Sequence, residues 1–322
     1  MDNSLKISID KNLEKIGIKV ESLVPINTGR NSLTWEIRNK ETSYFLKKYK
    51  SYPNDNRNRL NNEINFIDLL LSKNFKNIPK PICFSRKYNW AIFSWLNGKP
   101  VKNPNSKDWY RLINFLADIQ KIKHYKKSSK ISIASETFSN FNSHKNFIEN
   151  RIRSFQVILK NKGFKDLNNW VDENLTNKIM NYKDHKYIIT PKLSDKNFEY
   201  ILSPSDIGFH NCIKNNQKLY FFDFEYAGWD DPYKQYTDLI IQPENVLKLS
   251  IAKDILEKFS DLLNKNINID LLREYIYIYR LKWTIIILKQ IFIQKNNENY
   301  KEKIFSKARS YYEKTEKIWL SD

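Results

Sequence analysis

The sequence predicts an α+β protein of two lobes or domains, with strands in the first part of the chain and mainly helices after it. Short apolar runs that alternate with polar residues dominate the first part, which is typical of strands. Beyond Pro104 the apolar residues recur at every third or fourth position, which is typical of helices. At 322 residues the chain is also too long for one small core.

The composition excludes a disordered chain, because hydrophobic residues make up 41% of it, with 19 Tyr, 19 Phe and 8 Trp. The two cysteines, Cys83 and Cys212, have no metal-binding spacing, and they favour a reducing, cytoplasmic setting. The most apolar late run, Trp283–Leu288, is closed by Lys289 and is far too short to span a bilayer. We therefore expect a cytoplasmic protein without membrane insertion.

The formal charge is +19, from 55 Lys and Arg against 36 Asp and Glu. Such a charge allows contact with nucleic acid. The lysines are spread along the whole chain, however, and Lys, Asn and Ile are all frequent together, which indicates a general compositional preference. We expect no dedicated nucleic-acid site.

Residues 16–50 predict strands around a turn at residues 26–32. In the run Ser43–Tyr49, a period of two places Lys47 on the face of Phe45 and Tyr49, and Lys48 on the opposite face. Residues 90–98 predict a further strand.

Helices are predicted from apolar spacing between these strands and throughout the second lobe. The first carries Glu63 beside its apolar stripe, and Ser106 is the predicted N-cap of the second. The predicted ranges are 56–73, 106–122, 146–160, 167–181, 245–264, 270–294 and 298–318.

The stretch Ser203–Pro232 contains the residues most indicative of function, Asp206, Asn211 and Asp223. The apolar run Leu219–Phe222 ends at Asp223, and the turn before it predicts a hairpin that folds Asp223 back towards Asn211. Two carboxylates and an amide oxygen would suit a hard cation such as Mg²⁺. The alternative is turn chemistry, which explains Asp206 and Asn211 but not an acid that ends an aromatic strand.

This stretch resembles the catalytic segment of the aminoglycoside phosphotransferase and choline kinase group, the small-molecule relatives of protein kinases. The group has an Asp, an Asn five residues later, and a second Asp that begins a motif at a strand end. In this chain they are Asp206, Asn211 and Asp223, the last followed by Phe224 and Glu225. The resemblance implies a protein-kinase-like two-lobe fold, with a β-rich, nucleotide-binding N-terminal lobe over residues 1–96 and a mainly helical C-terminal lobe over residues 97–322 that is catalytic and binds the acceptor.

The resemblance also implies roles for these residues: Asp206 is catalytic and orients or deprotonates an acceptor hydroxyl, while Asn211 and Asp223 hold Mg²⁺. The chain departs from the group at Pro204, where a His is usual, and this puts the acceptor geometry in doubt. His210 lies inside the segment and is interpreted as structural.

For the nucleotide, the resemblance implies that Lys47 pairs with phosphates and that Glu63 forms an ion pair with Lys47. The alternative for Lys47 is a lysine on an edge strand that prevents aggregation, and the alternative for Glu63 is an ordinary exposed helix residue. The inter-lobe hinge at Ser94, Trp95 and Leu96 would bind the adenine edge through its backbone.

The resemblance further implies that the turn at Gly29, Arg30 and Asn31 covers the phosphates with backbone N–H groups. For Gly29 the alternative is an ordinary turn residue, and for Arg30 a solvated side chain.

The function implied is ATP-dependent and Mg²⁺-dependent phosphorylation of a hydroxyl on a small molecule, with GTP possible in place of ATP. The acceptor would be a sugar, an amino alcohol or an aminoglycoside-like compound, and we favour a sugar or a similar metabolite. The acids Glu199, Asp230 and Asp231 offer only a small acidic pocket for a cationic antibiotic. The alternative is a nucleotide-binding pseudokinase that acts as a regulator or scaffold. Either a monomer or a dimer is compatible with the sequence.

Overall fold

The protein is described from a computed structural model, which defines residues 3–26, 32–52, 55–182, 199–244, 246–247, 249–263, 267–294 and 297–320. The chain divides into two compact units. Unit 1 consists of Met1–Ser135 and Leu202–Trp229, and unit 2 consists of Glu136–Ile201 and Asp230–Asp322. The lobe boundary expected after residue 96 does not coincide with this division and stays a prediction.

Unit 1 contains an antiparallel sheet of five strands, in the order β1-β2-β3-β5-β4. Four of its strands lie within the ranges predicted as strands, the strand at Pro81–Ser85 was not predicted, and the α+β class is confirmed. The strands are β1 (Ser22–Ile26), β2 (Ser32–Arg38), β3 (Ser43–Tyr49), β4 (Pro81–Ser85) and β5 (Trp90–Ser94).

A helix that the sequence did not predict, α1 (Asn3–Glu14), contributes Ile9 and Leu13 to the core of this sheet. The apolar residues of α1 are too few to predict a helix from their spacing, because Ile7 lies on the exposed side and does not extend the apolar stripe. The strand residues in the same apolar cluster are Trp35, Ile37, Leu46, Trp90 and Ile92.

Two more helices of unit 1 agree with the predicted ranges, α2 (Arg59–Leu71) and α3 (Ser106–Lys121). The N-cap of α3 is Asn105 and not Ser106, so that expectation was wrong by one residue. Asn105 accepts from the Asp108 N–H and Asp108 accepts from the Asn105 N–H, which forms a capping box.

The segment expected to be catalytic contains short strands. These are β7 (Ile201–Ser203), β8 (Cys212–Asn215), β9 (Lys218–Phe221) and β10 (Gly228–Asp230), and an earlier strand β6 (Lys99–Pro100) pairs with β8. The predicted hairpin is therefore present as β8 and β9.

Gly98 allows β6 to approach β8, because a Cβ at that position would lie 2.2 Å from Ile213 Cγ2 and 2.7 Å from the Lys214 carbonyl oxygen. Its φ of 151° also disfavours any other residue.

Unit 2 is helical, and a long, largely buried helix within it is α9 (Ile269–Leu288). The predicted helices agree to within several residues, except that 167–181 is broken by a π-helical turn at Asp172–Thr176. The other helices are α4 (Phe141–Asn161), α5 (Lys165–Val171), α6 (Asn177–Met180), α7 (Pro232–Ile241), α8 (Leu249–Leu263) and α10 (Glu298–Trp319). Among the described residues, no helix has the length and apolar character needed to cross a membrane.

Candidate active site

Lys47 of β3 is almost fully buried, and its ammonium lies 2.7 Å from Glu63 Oε2 on α2. The hydroxyl of Tyr49 donates to the same Glu63 oxygen at 2.7 Å. Alternation along the strand directs Lys48 to the other side of the sheet, where its Nζ donates to the carbonyl of Tyr88. The structure thus brings Lys47, and not Lys48, to Glu63.

Two further carboxylates reach the Lys47 ammonium, Asp223 Oδ1 at 2.6 Å and Glu225 Oε2 at 3.0 Å. Burial opposes the charge on Lys47, but the attraction of Asp223, Glu63 and Glu225 outweighs it and raises the pKa of Lys47 well above its usual value. Burial also raises the pKa of Glu63 and of Glu225, against the attraction of Lys47. Lys47 is therefore held as a cation.

This cluster suits a divalent cation, because three carboxylates converge there, while Lys47 and, at 3.7 Å from Glu225, Arg59 are the only cations that contact them among the described residues. One oxygen from each of Glu63, Asp223 and Glu225 lies within 4.8 Å of the others. The Asp223 side chain is 37% exposed, against 3% for each of the two glutamates. Asp223 is therefore the carboxylate of the three that an incoming metal could reach.

The register of the β8–β9 hairpin explains how Asn211 and Asp223 come together. Cys212 is paired with Phe221, and the ladder continues with the Phe222 N–H donating to the Asn211 carbonyl at 3.1 Å. Asp223 follows directly with φ of 67°, a left-handed conformation that Asp tolerates better than most residues. The predicted return of Asp223 towards Asn211 is confirmed.

Asp206 lies in a tight turn that fixes its backbone. Its N–H donates to the Pro204 carbonyl at 2.9 Å, and its own carbonyl accepts from Asn211 Nδ2 at 2.9 Å. Between them Ser205 has φ of 64°, which makes this a γ-turn of the rare, strained kind. Because Nδ2 of Asn211 is used here, Oδ1 is the atom that the amide can offer to a metal.

His210 was interpreted as structural, yet its Nε2 lies 3.2 Å from Asp206 Oδ1. Both side chains are partly exposed, His210 at 28% and Asp206 at 35%. The four-residue separation gives no sequence signal for this contact, because the segment is a turn and not a regular helix.

Comparison with known proteins identifies the fold. No protein-family model matches this chain, and no curated protein matches it by sequence. Spectinomycin phosphotransferase APH(9)-Ia, solved with ADP and spectinomycin, superposes with a TM-score of 0.65 at 16% identity, over 96% of this chain and 98% of that one. The chain has the kinase-like fold of small-molecule phosphotransferases.

Two choline kinases share this kinase-like fold. The enzyme from Cryptosporidium parvum Iowa II superposes with a TM-score of 0.61 at 12% identity, over 98% of this chain and 95% of that one. LicA from Streptococcus pneumoniae gives 0.56 at 13% identity, over 97% of this chain and 100% of that one. Identities this low establish the fold and leave the activity to be inferred.

The predicted hinge residues of the kinase-like fold follow the end of β5. Ser94 is not fully available to a nucleotide, since its N–H donates to the Lys80 carbonyl at 2.8 Å and its Oγ accepts from the Lys80 N–H at 2.9 Å. Trp95 and Leu96 are half-buried in the irregular segment after the strand. The binding of an adenine edge by the backbone at Ser94, Trp95 and Leu96 stays a prediction.

The remaining predicted nucleotide residues, Gly29, Arg30 and Asn31, lie outside the described residues. Their proposed contact with phosphates stays a prediction.

Sequence reasoning gave no role to Glu225, which contacts both Lys47 and, at 3.7 Å, Arg59 Nε. The signal was present, because Glu225 comes two residues after Asp223 and an acid there is unusual beside the buried Phe224. Phe224 in turn donates its N–H to Glu63 Oε1 at 3.1 Å. This hydrogen bond connects the segment after β9 to α2.

Of the three acids of unit 2 that were considered for an acceptor pocket, Glu199 is exposed, whereas Asp230 and Asp231 are buried and make structural contacts. Asp230 accepts from Lys234 Nζ at 2.8 Å. Asp231 caps α7, lies 3.1 Å from His144 Nε2 and accepts from the Tyr275 hydroxyl. Both aspartates are fully buried. They hold the helices of unit 2 together and do not form an open acidic pocket.

Proposed function

We propose that this protein is an ATP-dependent and Mg²⁺-dependent phosphotransferase that phosphorylates a hydroxyl of a small molecule. The observation that carries this proposal is the buried Lys47 ammonium, held between Glu63 at 2.7 Å and Asp223 at 2.6 Å. An anchored cation beside a reachable carboxylate suits a phosphate chain that carries a metal. The spectinomycin phosphotransferase that shares the fold was solved with ADP, which supports a nucleotide as donor.

In this proposal Lys47 orients the nucleotide phosphates, and Glu63 keeps Lys47 in place. The backbone at Trp95 and Leu96 binds the base, while the turn at residues 29–31 covers the phosphates. Because the base would be bound through backbone groups, GTP is kept as a second possible donor.

Asp223 and the Oδ1 atom of Asn211 would hold Mg²⁺. The bound ion would supply neutralisation of phosphate charge. Asp223 serves this role better than the enclosed glutamates, because it combines a contact with Lys47 and an exposed oxygen-bearing face.

Asp206 would act on the acceptor. It accepts a hydrogen bond from the acceptor hydroxyl, whose oxygen forms a bond to the γ-phosphorus while the bond to the β–γ bridging oxygen breaks. The hydroxyl proton passes to the carboxylate, and the nucleoside diphosphate leaves with the bridging electrons. Positioning of the hydroxyl is the main contribution of the residue.

The acceptor that we favour is a sugar or a similar metabolite, ahead of an amino alcohol or an aminoglycoside-like compound. A strongly cationic acceptor would need exposed acids, and Asp230 and Asp231 are already paired and buried. Their burial supports the preference for an uncharged acceptor.

The proposal is tested by incubating purified protein with MgATP and a panel of sugars, amino alcohols including choline, and aminoglycosides. We expect release of ADP above the acceptor-free rate with at least one compound, and loss of that release in the Asp206→Asn variant. Tight MgATP binding without transfer to any compound would favour the pseudokinase alternative. Absence of nucleotide binding would reject both.

A further inference from the structure

We propose that His210 is a positioning residue, whose imidazole Nε2 contacts Asp206 Oδ1 and fixes the orientation in which that carboxylate meets the attacking oxygen. This inference rests on the proposed function, because it assigns His210 a part in the same phosphoryl transfer. Its basis is the 3.2 Å separation between His210 Nε2 and Asp206 Oδ1.

The turn that carries His210 is rigid. Phe209 is 1% exposed, and its ring meets that of Trp109 edge-on with a centroid separation of 4.7 Å. The turn is closed by the Asn211 N–H, which donates to the Gly208 carbonyl at 3.1 Å. With its neighbours fixed on both sides, the imidazole is presented from a constrained backbone.

The backbone of Asp206 is fixed as well, by its contacts with Pro204 and Asn211. The direction of its carboxylate is set by the side-chain torsions. A donor on Oδ1 restricts those torsions and so sets the direction of Oδ2. Because misplacement of a catalytic group by about 1 Å can reduce a rate by about 100-fold, one such contact can matter greatly for turnover.

The sequence around Asp206 supports an orienting role for its contact with His210. The kinase-like group usually carries a His at the position of Pro204, whereas this chain has a γ-turn there and presents an imidazole to Asp206 from residue 210. Partly exposed contacts of this kind contribute little to folding. Stability alone is therefore a weak reason for the pair, and orientation of the carboxylate is a stronger one.

The first test compares His210→Ala with His210→Gln, since Gln keeps a donor near the position of Nε2. Two activities are measured for each variant: ATP hydrolysis, with water as the acceptor, and phosphoryl transfer to the best compound of the panel. His210→Ala should lower kcat by about 10–100-fold with the KM for MgATP unchanged, and His210→Gln should recover most of it. His124→Ala, at an exposed histidine elsewhere in unit 1, is the matched control.

The second test is a double-mutant cycle. If His210 acts through the carboxylate, His210→Ala should cost no further activity in an Asp206→Asn background. Additive losses, a parallel rise in the KM for MgATP, or a failure of Gln to restore turnover would each overturn the inference.

A third readout does not depend on activity. The chain has four histidines, so imidazole ¹⁵N resonances can be assigned by single substitutions. Asp206→Ala should shift the His210 signal and leave the other three in place, and an unmoved signal would overturn the contact. Wild-type protein that binds MgATP but neither transfers nor hydrolyses would overturn the proposed function and this inference together. Turnover that is unaffected by His210→Ala would overturn the inference alone.

Discussion

Lys47 is the residue on which the nucleotide part of the candidate site depends. Its ammonium lies within 3.0 Å of three carboxylates in surroundings that exclude most water. A buried charge is tolerated only when it is paired, and removing one partner leaves the other charges uncompensated. The ion pairs of Lys47 therefore contribute both to the stability of unit 1 and to the nucleotide binding proposed for it.

Replacing Lys47 by Met should destabilise unit 1 by about 3–5 kcal/mol at neutral pH, because three acids would then lie together with only the more distant Arg59 guanidinium beside Glu225. Burial already raises the pKa of Glu63 and Glu225, and loss of Lys47 removes the attraction that opposes this rise. Acids with a raised folded pKa favour the folded state at pH below their ordinary values, and this contribution is lost as the pH increases. The variant should thus be destabilised less at about pH 5 than at about pH 8.

Chemical denaturation at both pH values measures this effect. Lys48→Met is the matched control, since the neighbouring lysine donates to the Tyr88 carbonyl and contacts none of the three acids in the described structure. An equal loss of stability in the two variants, or a loss that does not depend on pH, would contradict the assignment.

Asp206 and Asp223 should separate the chemical step from nucleotide binding. Asp206→Asn keeps the shape but removes the charge that orients or accepts the proton, and it should lower turnover by about 10²–10⁴-fold with little change in nucleotide affinity. Asp223→Asn should also weaken MgATP binding, because it removes a charge beside Lys47 and from the proposed metal site.

Turnover and calorimetric nucleotide affinity are needed for both aspartate variants. Wild-type turnover in Asp206→Asn with the true acceptor would refute the catalytic assignment. Unchanged MgATP affinity in Asp223→Asn would refute the metal assignment.

At the scale of elements, the hairpin β8–β9 and helix α3 support each other. Asp108 in the first turn of α3 accepts from Lys214 Nζ of β8 at 2.7 and 2.8 Å and completes the capping box with Asn105. Burial opposes ionisation of Asp108, but Lys214 and the Asn105 backbone outweigh it and lower its pKa. The hairpin that carries the site residues is thereby fixed to a helix of the same unit.

Asn105→Ala should lower the free energy of unfolding by about 1 kcal/mol, the usual cost of losing an N-cap side chain. Asn105→Ser, which can cap in the same way, should cost much less. Urea denaturation measures both. A loss in the Ser variant equal to that in the Ala variant would show that the cap is not the cause.

At the scale of the whole molecule, nucleotide binding should require a divalent metal, because the cluster around Lys47 has an excess of negative charge that ATP would increase. Calorimetric titration of the wild-type chain with ATP should show tight binding only when Mg²⁺ is present. Equal binding with and without Mg²⁺ would count against Asn211 and Asp223 as its ligands.

The charge of +19 should not produce specific nucleic-acid binding. Filter binding of DNA and RNA near physiological salt should show weak retention that falls steeply with salt, as expected for contacts with phosphates only. Tight and sequence-selective retention would require a second function for the basic surface.

By itself the sequence determined the α+β class and most strands and helices to within a few residues, and it supplied most of the candidate residues for the site. It could do so because alternation, helical spacing and turn chemistry are local properties of the chain. The Asp206, Asn211 and Asp223 pattern was equally local, since all three lie within one hairpin and its approach. The α1 helix was missed because its apolar stripe is too sparse to identify from spacing.

Only the tertiary structure decided which groups share space. In the folded chain Lys47 contacts Glu63 and Lys48 does not, and Glu225 joins the same ion cluster. Asp230 and Asp231 are buried in structural contacts, and His210 lies beside Asp206. These outcomes depend on distances between segments far apart in the chain, or on the path of a non-repetitive turn. Periodicity carries no information about either, because it records which face a residue occupies and not what lies opposite that face.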